Sequence, residues 1–201
     1  MKEILLATKN RDKVREITRI FGDLPLTIRA AADFPDLPDV EEDGETLEEN
    51  SAKKARVLAE RTGMLAVADD TGLFVPALGG EPGVYSARYA GEDVTYEDNC
   101  RKLLRRMAGL EGNDRAAYFS CVAVVAGGDF YRSSEGRVEG TILREPRGDG
   151  GFGYDPIFFH PPSGKTFAEI SLEEKNRISH RALAMEGVRK ALEEWVGAER
   201  R

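Results

Sequence analysis

Cysteine is scarce in this chain of 201 residues: only Cys100 and Cys121 occur, in no CxxC pair. Neither a disulfide framework nor a zinc–thiolate cluster can be built from them, so a reducing compartment such as the cytoplasm is expected. No apolar run reaches the roughly 20 residues that a bilayer-crossing helix needs, so no membrane segment is expected. The opening Met1-Lys2-Glu3-Ile4 lacks the apolar stretch of a signal peptide, in keeping with a cytoplasmic location. Positive charge is also in deficit, with 29 Lys and Arg against 36 Asp and Glu for a net charge of −7. A protein that tracks nucleic acid needs the opposite balance, so no nucleic-acid partner is expected and any phosphate must be bound locally or through a metal. Internal repeats, low-complexity tracts and an interdomain linker are missing as well. With 41% hydrophobic and 32% charged residues, a single domain spanning residues 1–201 is expected.

The periodicity of what is present alternates between strand and helix. KEILLA has consecutive apolar residues and predicts a strand buried on both faces. Val14, Ile17, Ile20 and Phe21 recur at helical spacing before Gly22. Thr46-Leu47-Glu48-Glu49 has capping-box form and predicts a helix to about Arg61, closed by Gly63. Met64–Ala68 reads as another buried strand, Tyr96–Met107 as a helix, and Ala116–Ala126 as a long strand that turns at Gly127-Gly128 into a hairpin partner. Ile178, Met185, Val188, Leu192 and Trp195 mark one face of a terminal helix. The expected fold class is α/β around a mixed sheet.

Four stretches carry chemistry, each with a bland alternative. ATKNRDK, Ala7–Lys13, joins the first strand to the first helix. Thr8 and Asn10 can cap that helix, while Lys9, Arg11 and Lys13 add cations where backbone N–H groups already favour anions; the alternative is a capped helix with a solvated basic turn. AVADDTGL, Ala66–Leu73, puts Asp69 and Asp70 where a strand is expected to end in a glycine turn. Strand alternation lets at most one of them face a shared site, where it could hold Mg²⁺ or orient a water; the alternative is an Asx turn. In VEEDGETLEEN, Glu45, Glu48 and Glu49 suit a helix first turn, whereas Glu41 and Glu42 precede the cap and can reach a metal. EEKNRISHRA brings Lys175, His180 and Arg181 as a second positive cluster. A further run, RGDGGFGYDPIF, sets glycines beside Phe152 and Tyr154. Its backbone freedom and flat rings suit a planar ligand, with Phe152 as stacking face and Asp155 as acceptor for base N–H groups.

Read together, these stretches describe a base, a polyphosphate and a carboxylate-held metal. T-x-N-x-x-K (Thr8, Asn10, Lys13), ADDTGL (Ala68–Leu73), LGGEPGVYSARYAG (Leu78–Gly91), GFGYDPIF (Gly151–Phe158), F-AE (Phe167–Glu169) and EKN-ISHR (Glu174–Arg181) occur in this order. In them the chain closely resembles the inosine/xanthosine triphosphate pyrophosphatase family over essentially its whole length. The resemblance implies an elongated single α/β domain with a long central mixed β-sheet flanked by helices and an active-site cleft between two lobes. It implies Mg²⁺-dependent hydrolysis of non-standard purine nucleoside triphosphates (ITP, dITP, XTP) to monophosphate and pyrophosphate, by a homodimer. Carried onto matching positions, Thr8, Lys9, Asn10, Arg11, Asp12 and Lys13 bind phosphates. Asp70 is general base and metal ligand with Glu42, one residue from the alternative Glu41. Thr71, Phe152, Gly153, Tyr154, Asp155, Lys175, His180 and Arg181 surround the nucleotide. Thr71 stands where Ser is commoner and keeps the hydroxyl. A non-catalytic nucleotide sensor and a pyrophosphatase for modified pyrimidine triphosphates are the alternative functions.

Overall fold

In the computed structural model, which describes residues 2–198, strand β1 (Lys2–Leu6) is buried from Ile4 onward and pairs in parallel with β2 (Leu26–Ala30) and with β3 (Leu65–Phe74). Two parallel neighbours leave both faces of β1 to be covered, which is why its apolar residues are consecutive rather than alternating. Ile4 and Leu6 pack with Ile17 and Phe21 of helix α1 (Arg11–Phe21) and with Met185, Val188 and Leu192 of helix α5 (His180–Ala198). Leu5 and Ala7 pack on the opposite face with Ala52, Ala55 and Leu58 of helix α2 (Leu47–Thr62). The capping box at Thr46 and the left-handed Gly63 bound α2 where the sequence places them.

The chain forms two compact units. One comprises the chain up to Asp70, Cys121–Gly136 and the segment from His180 onward; the other comprises Thr71–Ser120 and Arg137–Ser179. The elements just described build the first unit. The second contains β4 (Pro82–Gly83), helix α3 (Tyr96–Arg106), β7 (Phe158–His160), β8 (Lys165–Thr166) and helix α4 (Leu172–Ile178). Strands β3, β5 (Ala116–Gly127) and β6 (Phe130–Ile142) run through both. Hydrogen bonding follows the order β2-β1-β3-β5-β6-β7-β8, with β4 on β3. Parallel pairs at β1 and antiparallel pairs at β4, β7 and β8 make this the mixed sheet of an α/β fold.

In the second unit, Leu103 and Met107 of the α3 region pack with Leu73, Phe119, Ile142, Ile157, Phe158 and Phe167. Phe119, Phe158 and Phe167 form a ring cluster with centroids 4.6 to 6.0 Å apart. The Arg115 side chain closes this core without a carboxylate partner in its hydrogen bonds. Its guanidinium donates to the carbonyls of Met107 (2.8 Å), Leu110 (3.3 Å), Ile142 (2.7 Å) and Leu143 (2.6 Å).

Two sequence expectations are corrected. The strand expected over Met64–Ala68 begins at Leu65 and is longer, because β3 continues through Asp69 and Asp70 to Phe74, where Leu73 and Phe74 pair with Gly83 and Pro82. Gly72 therefore makes no turn. A side chain there would meet the Gly83 carbonyl oxygen at 2.6 Å, so glycine allows the two backbones to close. The terminal helix is two helices, because Ser179 is extended (φ −77°, ψ 156°); Ile178 ends α4 and packs in the second unit's core.

Replacing Arg115 by Met strands several buried carbonyls, each worth about 1–3 kcal/mol when unsatisfied. The expected loss is about 3 kcal/mol in urea unfolding, and a loss below about 1 kcal/mol would mean that these carbonyls find other donors.

Candidate active site

The alternation that buries β3 also separates its two aspartates. Asp69 follows Leu65 and Val67 on the face covered by α1 and α5, whereas Asp70 follows Ala66 and Ala68 on the face covered by α2. Asp69 Oδ2 lies 3.0 Å from Lys13 Nζ of α1 and 3.1 Å from Arg181 Nε of α5. Arg181 in turn donates from Nη1 to Glu16 Oε2 at 2.5 Å, and all four groups are largely or fully enclosed. Burial by itself would raise the Asp69 pKa, but Lys13, Arg181 and Lys54 together hold it far below the ordinary carboxylate range.

Asp70 is pushed the other way. Burial is the main cause and the nearby Glu42 charge adds to it, while Lys54, Lys13 and a hydrogen bond from Asn50 oppose the rise. Asn50 Nδ2 donates to Asp70 Oδ2 at 2.9 Å. Lys54 Nζ sits 2.7 Å from Glu42 Oε1 and 2.7 Å from the Asp69 carbonyl oxygen. Burial opposes its charge, but Glu42, Asp70 and Asp69 outweigh that and raise its pKa. One strand thus carries an aspartate that stays ionised and a neighbour with enhanced proton affinity, the combination that general-base chemistry uses.

At the start of α1, Asn10 is the N-cap; its Oδ1 accepts from Asp12 N (2.9 Å) and Lys13 N (3.3 Å), and Thr8 Oγ1 accepts from Asn10 N (3.1 Å). The cap therefore occupies two of the N–H groups an anion could have used. Lys9 is exposed and bonded to Asp39, and Arg11 is exposed. Of the basic residues in this stretch, Lys13 is the one drawn in toward Asp69.

Among the described residues, no three of His, Cys, Asp and Glu converge into a metal cage. Glu42 and Asp70 nevertheless act on each other as like charges, while Glu41 is exposed. A hard divalent cation binds through one or two carboxylates and completes its shell with water and phosphate oxygens, so the Glu42–Asp70 pair fits Mg²⁺.

The second unit holds a separate constellation. Asp155 Oδ2 accepts from Lys175 Nζ at 2.6 Å and from Phe152 N at 2.8 Å. Lys175 Nζ stands 4.7 Å from the Phe152 ring centroid and 5.9 Å from that of Phe167. Tyr96, at the start of α3, tilts against Phe152 with centroids 5.8 Å apart. Gly151 adopts φ +68°, and a side chain there would collide with the Asp155 carboxylate. Tyr154 is spent on the core, donating to the Ser86 carbonyl at 2.9 Å, and Cys100 Sγ donates to the Gly153 carbonyl at 3.3 Å. Burial, aided by the Asp155 charge, pushes the Cys100 thiol up to about 12, so it is an inert packing group.

Lys175 and Arg181, six positions apart in one motif, thus enter different constellations. Lys175 joins Phe152 and Asp155, Arg181 is enclosed by Glu16 and Asp69, and the buried His180 opens α5. Thr71 is half-buried next to Asp70. The sequence reading missed Asn50, Lys54, Glu16 and Tyr96. A signal existed for the first three, since each is a polar residue interleaved at helical spacing with buried apolar ones.

Comparison with known proteins places these residues in a lineage. The family model described as "Ham1 family" matches residues 4–191. A Geobacter sulfurreducens protein named dITP/XTP pyrophosphatase is 49% identical over 99% of this chain and 100% of its own, and a Geobacillus kaustophilus protein of the same name is 48% identical over 100% and 99%. The solved structure of a HAM1 protein from Coxiella burnetii superposes with a TM-score of 0.88 at 42% identity, covering 96% of this chain and 100% of that one. A match of this extent, in sequence and in backbone alike, means that the chain belongs to the Ham1 family.

Proposed function

We propose that the protein hydrolyses non-standard purine nucleoside triphosphates, ITP, dITP and XTP, to the monophosphate and pyrophosphate, and so removes them from the nucleotide pool. The observation that carries this reading is the split pair on β3: Asp70 held by Asn50 on one face of the sheet, and two lysines arranged around Asp69. The dITP/XTP pyrophosphatase names of relatives identical at about half their positions support the substrate class.

In this mechanism Lys13 and Lys54 neutralise phosphate charge, and the Thr8–Lys13 turn orients the phosphate chain; phosphoryl transfer is catalysed mainly by such positioning and charge. Asp70 accepts the proton of the attacking water as its oxygen bonds to phosphorus, the α–β anhydride breaks, and pyrophosphate leaves. Glu42 and Asp70 would hold Mg²⁺, which, when bound, supplies charge neutralisation and a more acidic water. Arg181 contributes by keeping Asp69 ionised and in place rather than by reaching the substrate. Phe152 stacks on the base, with Gly153 and Tyr154 shaping its loop, while Lys175 and Asp155 read the base edge; His180 and Thr71 complete the nucleotide set. A 6-oxo purine presents O6 and N1–H where adenine presents an amine and a bare nitrogen, and each mismatched buried group costs about 1–3 kcal/mol. The enzyme is further taken to be a Mg²⁺-dependent homodimer, one catalytic domain per chain, in the cytoplasm; the free thiols of Cys100 and Cys121 suit a reducing compartment.

Incubation with Mg²⁺ and the inosine, xanthosine, guanosine or adenosine triphosphate, assaying pyrophosphate and orthophosphate separately, tests the reading. Pyrophosphate from the first two with little from the others is expected; orthophosphate instead would overturn it. Asp70→Asn removes the base and is expected to lower kcat by about 10²–10⁴ with the fold intact. Turnover near that of the parent would take Asp70 out of the chemistry. Phe152→Ala is expected to raise the KM for ITP about tenfold, the scale of one lost base–aromatic stack, and an unchanged KM would place the base elsewhere.

A further inference from the structure

Asn50 stands at the fourth position of α2, 1% exposed, among the buried residues Leu47, Ser51, Lys54 and Leu58 of that helix. A buried carboxamide at such a place is costly unless each end is bonded, and asparagine is a poor helix former. Both ends are bonded here, each to a part of the candidate site. Oδ1 accepts the backbone N–H of Gly44 at 2.8 Å, and Nδ2 donates to Asp70 Oδ2 at 2.9 Å. The chemistry of the partners fixes which end is which: a backbone N–H requires the oxygen and a carboxylate requires the NH₂, so a flipped amide would oppose like groups twice.

Gly44 is part of the same device. A Cβ at that position would lie 2.8 Å from Asn50 Oδ1 and 2.8 Å from Glu49 Cβ, so only glycine lets the acidic loop close onto the amide. Glu42, which pairs with Lys54, lies two residues upstream of that contact. One side chain therefore registers the loop that presents Glu42 and also fixes the rotamer of Asp70.

We propose that Asn50 is a positioning residue for the hydrolysis: through Gly44 and Asp70 it holds the acidic loop and the base carboxylate in one fixed geometry. This rests on the pyrophosphatase reading above. Asn50 does not touch substrate in this scheme, so its loss affects the reaction step and leaves substrate binding nearly unchanged.

The test is steady-state pyrophosphate release from ITP with Mg²⁺, using the full chain, at a temperature below the unfolding transition of every variant. Asn50→Asp keeps the size and the acceptor for Gly44 but replaces the donor facing Asp70 with a charge. It is expected to lower kcat about 100-fold, the cost of a reacting group displaced by about 1 Å, with KM within about threefold of the parent. Gly44→Ala, which leaves both Asn50 and Asp70 in the sequence but crowds the contact between loop and amide, is expected to give the same kcat-selective loss at about tenfold. Combining Gly44→Ala with Asn50→Ala should lose less than the product of the two single losses, because Asn50→Ala removes the oxygen that the Cβ at position 44 would crowd. A folded Asn50→Asp with kcat within about twofold of the parent, or a loss carried by KM, overturns the proposal, as does an additive double variant. If Asn50→Asp does not fold, Gly44→Ala decides by the same criteria. A parent that releases no pyrophosphate overturns the functional reading and this inference with it, whereas an active parent with unaffected variants overturns the inference alone.

Discussion

The arrangement of the first unit depends on one buried carboxylate. Asp69 has lost its water, and an isolated aspartate so placed would take up a proton; it stays ionised because Lys13 and Arg181 reach the same oxygen from α1 and α5. Its carbonyl oxygen meanwhile receives Lys54 from α2. A single residue at the middle of β3 thus ties together helices from both faces of the sheet. Such a cluster contributes little net stability compared with apolar packing, but it penalises any structure in which one member is missing, because the remaining charges are left buried and unmatched. Its effect is to fix geometry.

Asp70 gains its chemistry from the same constraint. The residues are identical and adjacent, and only the strand's alternation separates them, yet one bonds two cations directly and the other accepts from an amide, with the Lys54 and Glu42 charges opposing each other nearby. It is because β3 continues past Asp70 that the two carboxylates lie on opposite faces of the sheet. The continuation of the strand to Phe74, secured by the close approach of Gly72 to Gly83, is therefore part of the site as much as of the fold.

What was legible in the sequence follows from where local rules operate. The capping box at Thr46, the αL Gly63 and the doubly buried KEILLA strand depend on near neighbours in the chain, and each took the form that its residues predict. The extent of β3 was misread because Thr-Gly after two aspartates has turn chemistry; pairing with a strand formed by Pro82 and Gly83 overrides that local preference. The single terminal helix was misread for a related reason, since Ile178 continues the apolar spacing although Ser179 is extended. Within the candidate site, motif residues could be named but their partners could not. Lys175 and Arg181 are six positions apart and meet different carboxylates, Asp155 and Asp69, at sequence separations of 20 and 112 residues. Pairing over such distances leaves no periodic trace. Asn50 and Glu16 left a fainter one, as polar residues on an otherwise apolar stripe.

The depth of the cationic groups has a consequence for the company the protein keeps. The side chains of Lys13 and Lys54 are 17% and 10% exposed, in a chain whose net charge is −7. Under the proposed function a triphosphate must bring its charge inward to these ammonium groups. Association that releases only a few counterions also weakens only gently as salt rises. In the proposed function the phosphate chain is therefore met by a few enclosed cations and not by an overall positive charge.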